Sequence, residues 1–166
     1  MIESVYGFLQ PLGKELALFI TSMIPLIELR GGIILGHFLE MPALEVFALC
    51  FLANCIPIPF VILLIRPIFN WLKKFKKIEK LITKIENKAI EKSGKVKANR
   101  YEMLGLFLFV AIPLPGTGAY TGSLIAVLLN MRIKYALPAI ILGVLVAGII
   151  MTIASMGIFS ALGFLM

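Results

Sequence analysis

The chain has 166 residues, 60% of them apolar and only 15% charged, with a mean hydropathy of +1.01 and a net charge of +7. Soluble domains carry roughly 25% charged residues, and a globule of this size has too little interior to hide so much apolar surface. Composition therefore excludes a soluble protein and indicates an integral membrane one.

Residues 1–14 mix apolar and polar positions, and Pro11 and Gly13 separate them from the next block. They lack the basic start and small-residue cleavage site of a signal peptide and read as a short interfacial helix. Residues 15–40 form an apolar block interrupted by Glu28 and Arg30. Its uninterrupted part, Leu16 to Ile27, has 12 residues, about 18 Å of helix, and falls well short of a hydrocarbon core about 30 Å thick. Residues 42–66 contain 20 uncharged positions from Val46 to Ile65, enough for one transmembrane helix. Pro57 and Pro59 should kink it, and Asn54 is placed to bond across helices.

Residues 67–100 are different. The stretch from Arg66 to Arg100 holds 12 of the 16 bases and three of the nine acids, a +9 segment between apolar blocks. Leu72, Phe75, Ile78, Ile82, Ile85 and Ala89 recur at helical spacing between lysines, the pattern of an amphipathic helix. A basic loop of this kind fits the cytoplasmic face rather than nucleic acid.

Residues 102–131 are apolar again, but Pro113, Pro115, Gly116 and Gly118 sit in the middle of the block. The prolines lack N–H groups and the glycines permit unusual backbone, so the helix should break there into two pieces too short to span. Residues 135–166 are uncharged and can span with length to spare. Ala139, Gly143 and Ala147 form a small-residue ridge on this segment, suited to close helix packing.

The halves match. Ile24-Pro25-Leu26 returns as Ile112-Pro113-Leu114, the pair Gly32 and Gly36 as Gly118 and Gly122, and each broken block precedes a long span. Broken segments in corresponding places point to a transporter of two inverted repeats. Each repeat is expected to be a re-entrant helical hairpin followed by a transmembrane helix. The alternative, kinked full spans, distributes the bases slightly worse against the positive-inside rule.

Charges inside a membrane are costly and mark substrate or ion paths, which makes Glu28 and Arg30 the leading functional candidates. A carboxyl held away from water suits proton exchange near neutral pH, and an arginine can clamp a phosphate or carboxylate with two hydrogen bonds. Alternatively, Arg30 only neutralises Glu28. Pro25, Gly31 and Gly32 suggest a turn around this pair. In the second break, Gly116, Thr117 and Gly118 precede a half-helix whose free N–H groups attract an anion; Thr117 and Thr121 offer hydroxyls, and Gly122 comes one turn on. Asp is absent, His37 is the only histidine and is expected in an outer loop, and Cys50 and Cys55 would point to different faces of one helix. No metal site, cofactor or nucleophile–base pair is indicated, which argues against an enzyme.

Pro25-Leu-Ile-Glu-Leu-Arg-Gly-Gly32 and Pro113-Leu-Pro-Gly-Thr-Gly-Ala-Tyr-Thr-Gly122 resemble the two signatures of the small multidrug export family, within the DedA superfamily of membrane proteins. The resemblance covers nearly the whole chain in the right order. It implies two re-entrant hairpins, inverted symmetry, a homodimer, and movement of lipids between leaflets with an acidic residue in proton coupling. Glu28 would be that acid and Arg30 its basic neighbour, with Pro113, Gly116, Thr117 and Gly118 at the second hairpin tip. The main DedA branch enters its second hairpin through Phe-x-x-Arg-x-x-Pro-x-x-Arg. Here Phe107 and Pro113 fit, but Val110 and Gly116 stand at the arginine positions, which weighs against a phosphate substrate.

The expectation is a multi-pass protein of the cell membrane that works with membrane lipids and protons, translocating an amphiphilic or lipid-like substrate. Its rivals are a proton-coupled exporter of small hydrophobic cations and a non-transporting membrane scaffold.

Overall fold

The computed structural model describes residues 13–72, 98–114 and 116–165. These form helices α1 (Lys14–Ser22), α2 (Glu28–Phe38), α3 (Ala43–Cys55), α4 (Pro57–Leu72), α5 (Ala98–Ala111), α6 (Ala119–Leu128) and α7 (Ile133–Leu165), with no strand among the described residues. Two stretches are long and apolar enough to cross a membrane, Ala43–Ile65 and Ile133–Gly157, with mean hydropathies of 2.5 and 2.6. Their outward faces carry Leu44, Leu52, Phe60, Leu63, Ile149 and Ile153, all exposed. Such a surface suits lipid and would aggregate in water.

The first span is continuous. Ile56 keeps helical angles (φ −58, ψ −47) and donates to the Leu52 carbonyl at 3.0 Å. Pro57 then withholds the next N–H, and Ile56 alone separates α3 from α4. Helix α4 runs on to Leu72 and α5 starts at Ala98, so both ends of the 67–100 segment belong to neighbouring helices. The basic amphipathic pattern between them, residues 73–97, lies outside the described residues, as does the expected interfacial helix apart from Gly13 and Lys14.

The two broken blocks are each a pair of short helices. Helix α1 has 9 residues and α2 has 11, about 14 and 17 Å at 1.5 Å per residue. They are joined by a turn over residues 23–27. Lys14 Nζ donates to the Leu39 carbonyl at 3.2 Å, so the start of α1 meets the end of α2 and the chain has doubled back. Helices α5 and α6 are joined through residues 112–118 and pack on each other and on α7. Gly116 sits there at φ +82, a left-handed conformation that strains any side chain.

The same capping geometry closes α2 and α6. Glu40 and Asn130 both adopt positive φ, +56 and +51. In each case the next residue's N–H reaches back five positions, Met41 to Gly36 at 3.1 Å and Met131 to Ala126 at 2.9 Å. This is a Schellman cap, and its parts lie ninety residues apart (40 and 130, 36 and 126). The tripeptide match at 24 and 112 is offset by 88, so the second break holds two more residues than the first. At the same spacing of ninety, Gly122 follows Gly32 and Gly118 follows Glu28.

Close approaches fix the core. Gly32 on α2 faces Ser22 on α1 and Cys50 on α3, where an added Cβ would lie 2.7 Å from the Cys50 sulfur. Gly143 of the α7 ridge meets Val110 on α5, a Cβ there coming within 2.7 Å of the valine. Asn54 Nδ2 ties α3 to the end of α1 by donating to the Ser22 carbonyl at 3.1 Å. Cys50 and Cys55 are free thiols. His37 lies half-buried in the last turn of α2 rather than in a loop.

Among the described residues one buried hydroxyl, Thr21 Oγ1, has no hydrogen-bond partner. Burying such a group without compensation costs about 1–3 kcal/mol, whereas an apolar isostere costs little. Thr21→Val should therefore raise the apparent melting temperature of the detergent-solubilised protein by a few degrees. An unchanged or lower value would show that the hydroxyl is compensated.

Candidate functional site

The two breaks meet, and Glu28 and Arg30 are at the junction. Neither lies in a solvated outer loop; both are half-buried on α2. Glu28 opens the helix and has φ +52, an uncommon conformation for a residue with a side chain and one that tends to be kept at functional sites. Its carboxylate lies directly over Gly118: a Cβ on that glycine would fall on Oε2. The N–H of Tyr120, in the first turn of α6, faces Oε1 at 3.5 Å. The anion that the α6 N-terminus attracts is thus the protein's own carboxylate.

Arg30 turns to the other side of the second break. Its guanidinium donates to the carbonyls of Leu114 and of Ile112, the latter at 3.3 Å, and to Thr117 Oγ1 at 2.9 Å. The Thr117 hydroxyl also lies 2.7 Å from the Ile112 carbonyl and 2.9 Å from that of Leu114. Both carbonyls also accept from within the break, Ile112 from the Leu114 N–H at 2.8 Å and Leu114 from the Thr117 N–H at 3.2 Å, and Arg30 ties this local network to α2.

Tyr120 completes the junction. Its hydroxyl donates to the carbonyl of Met23 in the first turn, so one residue of α6 touches both Glu28 and the tip of the first hairpin. Sequence reasoning did not single Tyr120 out. The available signal was its position two residues after Gly118, in the first turn of the half-helix that follows the second break.

Other expected tip residues are placed differently. Pro25 is exposed in the 23–27 turn, and Pro113, Gly116, Thr117 and Gly118 lie in the second break. Gly31 and Gly32 are buried inside α2, and Thr121 and Gly122 lie inside α6. Gly32 and Gly122 act by close packing, Gly122 against Val110, and not by turning the chain. Pro115 lies outside the described residues.

A half-open pocket sits beside the junction, lined chiefly by Glu28, Arg30, Asn54, Val110, Gly118 and Val144. Its inner volume is about 10 Å³, room for the centre of a single water-sized sphere. Among the described residues, no three His, Cys, Asp or Glu gather as they would around a metal ion.

Residues 28–150 match the model of a family described as "Putative small multi-drug export protein". The match starts at Glu28 and takes in Arg30, the second break and α7 as far as Ile150. Neither a curated protein nor a solved structure matches the chain.

Proposed function

The chain belongs to the small multi-drug export family, and on that premise we propose that it is a membrane transporter in which protonation of Glu28 is linked to translocation of an amphiphilic, lipid-like substrate. The observation that carries the reading is the seat of the Glu28 carboxylate against Gly118 and the Tyr120 N–H. A carboxylate is held there by a helix N-terminus and loses much of that attraction when protonated. Proton uptake therefore loosens the contact between the two breaks, and proton release restores it.

The shared cap geometry at 40 and 130 supports reading the fold as two inverted repeats whose short helix pairs enter and leave the membrane on one face. The basic 67–100 segment would then lie on the cytoplasmic side of the cell membrane. The wider kinship with the DedA superfamily and a homodimeric state belong to the same proposal.

The second reading, export of small hydrophobic cations in exchange for protons, is favoured by the orientation of Arg30. Its hydrogen bonds are directed at the second break, so Glu28 presents an acidic face to the pocket.

Purified protein in liposomes, with labelled lipids, tests the leading reading. Wild type should move lipid between leaflets with a rate that depends on pH, and Glu28→Gln should lose at least 90% of that movement. Retained movement with unchanged pH dependence would end the proton role of Glu28. Lipid movement absent from both, with cation efflux from wild type alone, would select the exporter.

A further inference from the structure

We infer that a water-filled recess reaches the middle of the membrane at the second break, with Arg30 and Thr117 on its wall, and that Glu28 exchanges its proton through it. The inference rests on the reading of Glu28 as the coupling group and supplies the route by which that group meets water.

The two spans set the depth. Asn54 is the central residue of Ala43–Ile65, and Val144 lies next to the centre of Ile133–Gly157. Both line the pocket that Glu28, Arg30 and Gly118 also line. The junction therefore sits near mid-depth of both spans, whether the broken blocks turn back there or run through. With a hydrocarbon core about 30 Å thick, either surface is about 15 Å away.

Polar groups are uncovered at that depth. The Arg30 side chain is half-buried, and its hydrogen bonds to the carbonyls of Ile112 and Leu114 are exposed. So are the hydrogen bonds from Thr117 Oγ1 to the same two carbonyls. Gly116 between them is exposed as well. A guanidinium facing hydrocarbon at mid-depth is costly. Non-helical backbone is tolerated there only inside protein or beside water. The described residues leave this face open, so water covers it. The lipid-facing surface at the same depth looks different: Leu52 on α3 and Leu142 on α7 are 51% and 53% exposed, and both are apolar.

The recess continues to Glu28. The pocket beside the junction is half-open, is lined by Glu28 and Arg30 together, and has room at its inner end for one water-sized sphere. A water in that space links the carboxylate to the solvent around Arg30, which is what proton exchange at this depth requires. The titratable groups beside Glu28 are Arg30 on its own helix and Tyr120 on α6. The residues that line the pocket from α3, α5 and α7 carry none, and Lys14 and Glu15 lie at the far end of α1.

The test reads water access without transport. Cys55→Ala removes the half-buried native thiol and leaves Cys50, which is fully buried. Single cysteines are then placed at Thr117 on the wall, at Glu28 at the inner end, and at Leu52 and Leu142 on the lipid face. The protein in liposomes is treated, on both sides of the membrane, with a charged methanethiosulfonate. This reagent needs a thiolate, which forms in water and not in hydrocarbon. Thr117→Cys should label at least about tenfold faster than Leu52→Cys and Leu142→Cys, with Glu28→Cys between them. After unfolding, all four should label alike. Where a variant at the junction fails to fold, hydroxyphenylglyoxal, a water-soluble reagent for guanidinium groups, is applied to the wild type; Arg30 should be modified in liposomes, as should the exposed Arg132.

Labelling at Thr117→Cys as slow as at the two lipid-facing positions would overturn the recess, as would Arg30 left unmodified beside a modified Arg132. Disulfide-linked dimers of Thr117→Cys that resist the reagent would also overturn it, since a second copy would then cover the break. A reactive Thr117→Cys beside a silent Glu28→Cys would sever the proton route and overturn the inference. Fast labelling without lipid movement would keep the recess and remove the proposed function. Lipid movement that depends on Glu28, without labelling, would do the reverse.

Discussion

Gly118→Ala is expected to abolish transport and to destabilise the protein through one contact. The backbone at Gly118, φ −86 and ψ −165, lies in the extended region that alanine tolerates. The strain is not in the chain but across the junction: the new Cβ would occupy the place of the Glu28 carboxylate. The backbone of Glu28 is held, since α2 is wedged between Ser22 and Cys50 through Gly32, but the carboxylate ends a flexible side chain and can swing aside by leaving the Tyr120 N–H. Losing that hydrogen bond costs about 0.5–1.5 kcal/mol.

A double-mutant cycle isolates the effect. Gly118→Ala should lower unfolding stability by about 1 kcal/mol in the wild-type background but by less than ~0.5 kcal/mol in Glu28→Ala, where the side chain is already gone. The double variant should remain inactive, since the proposed proton site is missing from it. Additive destabilisation would mean that Glu28 does not press on Gly118 in the folded protein.

The contact at stake joins residues 28 and 118, and this shows what the sequence carries and what it leaves out. The broken blocks were legible because they are local: a 12-residue apolar run cannot cross a bilayer, and Pro113 cannot continue a helix. The importance of Glu28 and Arg30 was legible because charge in an apolar block is expensive wherever it ends up. Their partners were not legible. Arg30 looked like an anion clamp, yet its hydrogen bonds go to backbone carbonyls of the second break, those of Ile112 and Leu114. The half-helix N-terminus looked like a site for a substrate anion, yet Glu28 faces it.

Glycine misled for a physical reason. Gly31-Gly32 has the composition of a turn, but the absence of a Cβ serves tight helix contact equally well, and only the neighbours Ser22 and Cys50 decide which use applies. The turn lies earlier, at residues 23–27, marked by Pro25 alone. Spacing between the halves was read from one tripeptide. Ile-Pro-Leu recurs at an offset of 88, whereas the like caps at Glu40 and Asn130, each followed by Met, lie ninety apart.

Arg30→Lys is the second substitution with a large expected effect, and it separates charge from geometry. Lysine keeps the positive charge near Glu28 but is a single point donor, whereas the guanidinium fork reaches Ile112, Leu114 and Thr117 together. The variant loses at least one of these charge-assisted bonds, at about 0.5–1.5 kcal/mol, because the carbonyls are exposed and keep local donors in the N–H groups of Leu114 and Thr117. The cost should appear locally, as looser packing of residues 112–118 against α2, because α5, α6 and α7 keep their own contacts. Amide hydrogen exchange should therefore quicken at Thr117, Gly118 and Tyr120 while the spans stay protected, and transport should fall at least tenfold. Glu28→Gln should show the opposite pattern, losing transport with the second break still held by Arg30. If Arg30→Lys instead kept both its protection and its activity, charge alone would be what the position supplies. The two breaks would then be coupled only through Glu28 and Tyr120, since those are the remaining polar contacts between them among the described residues.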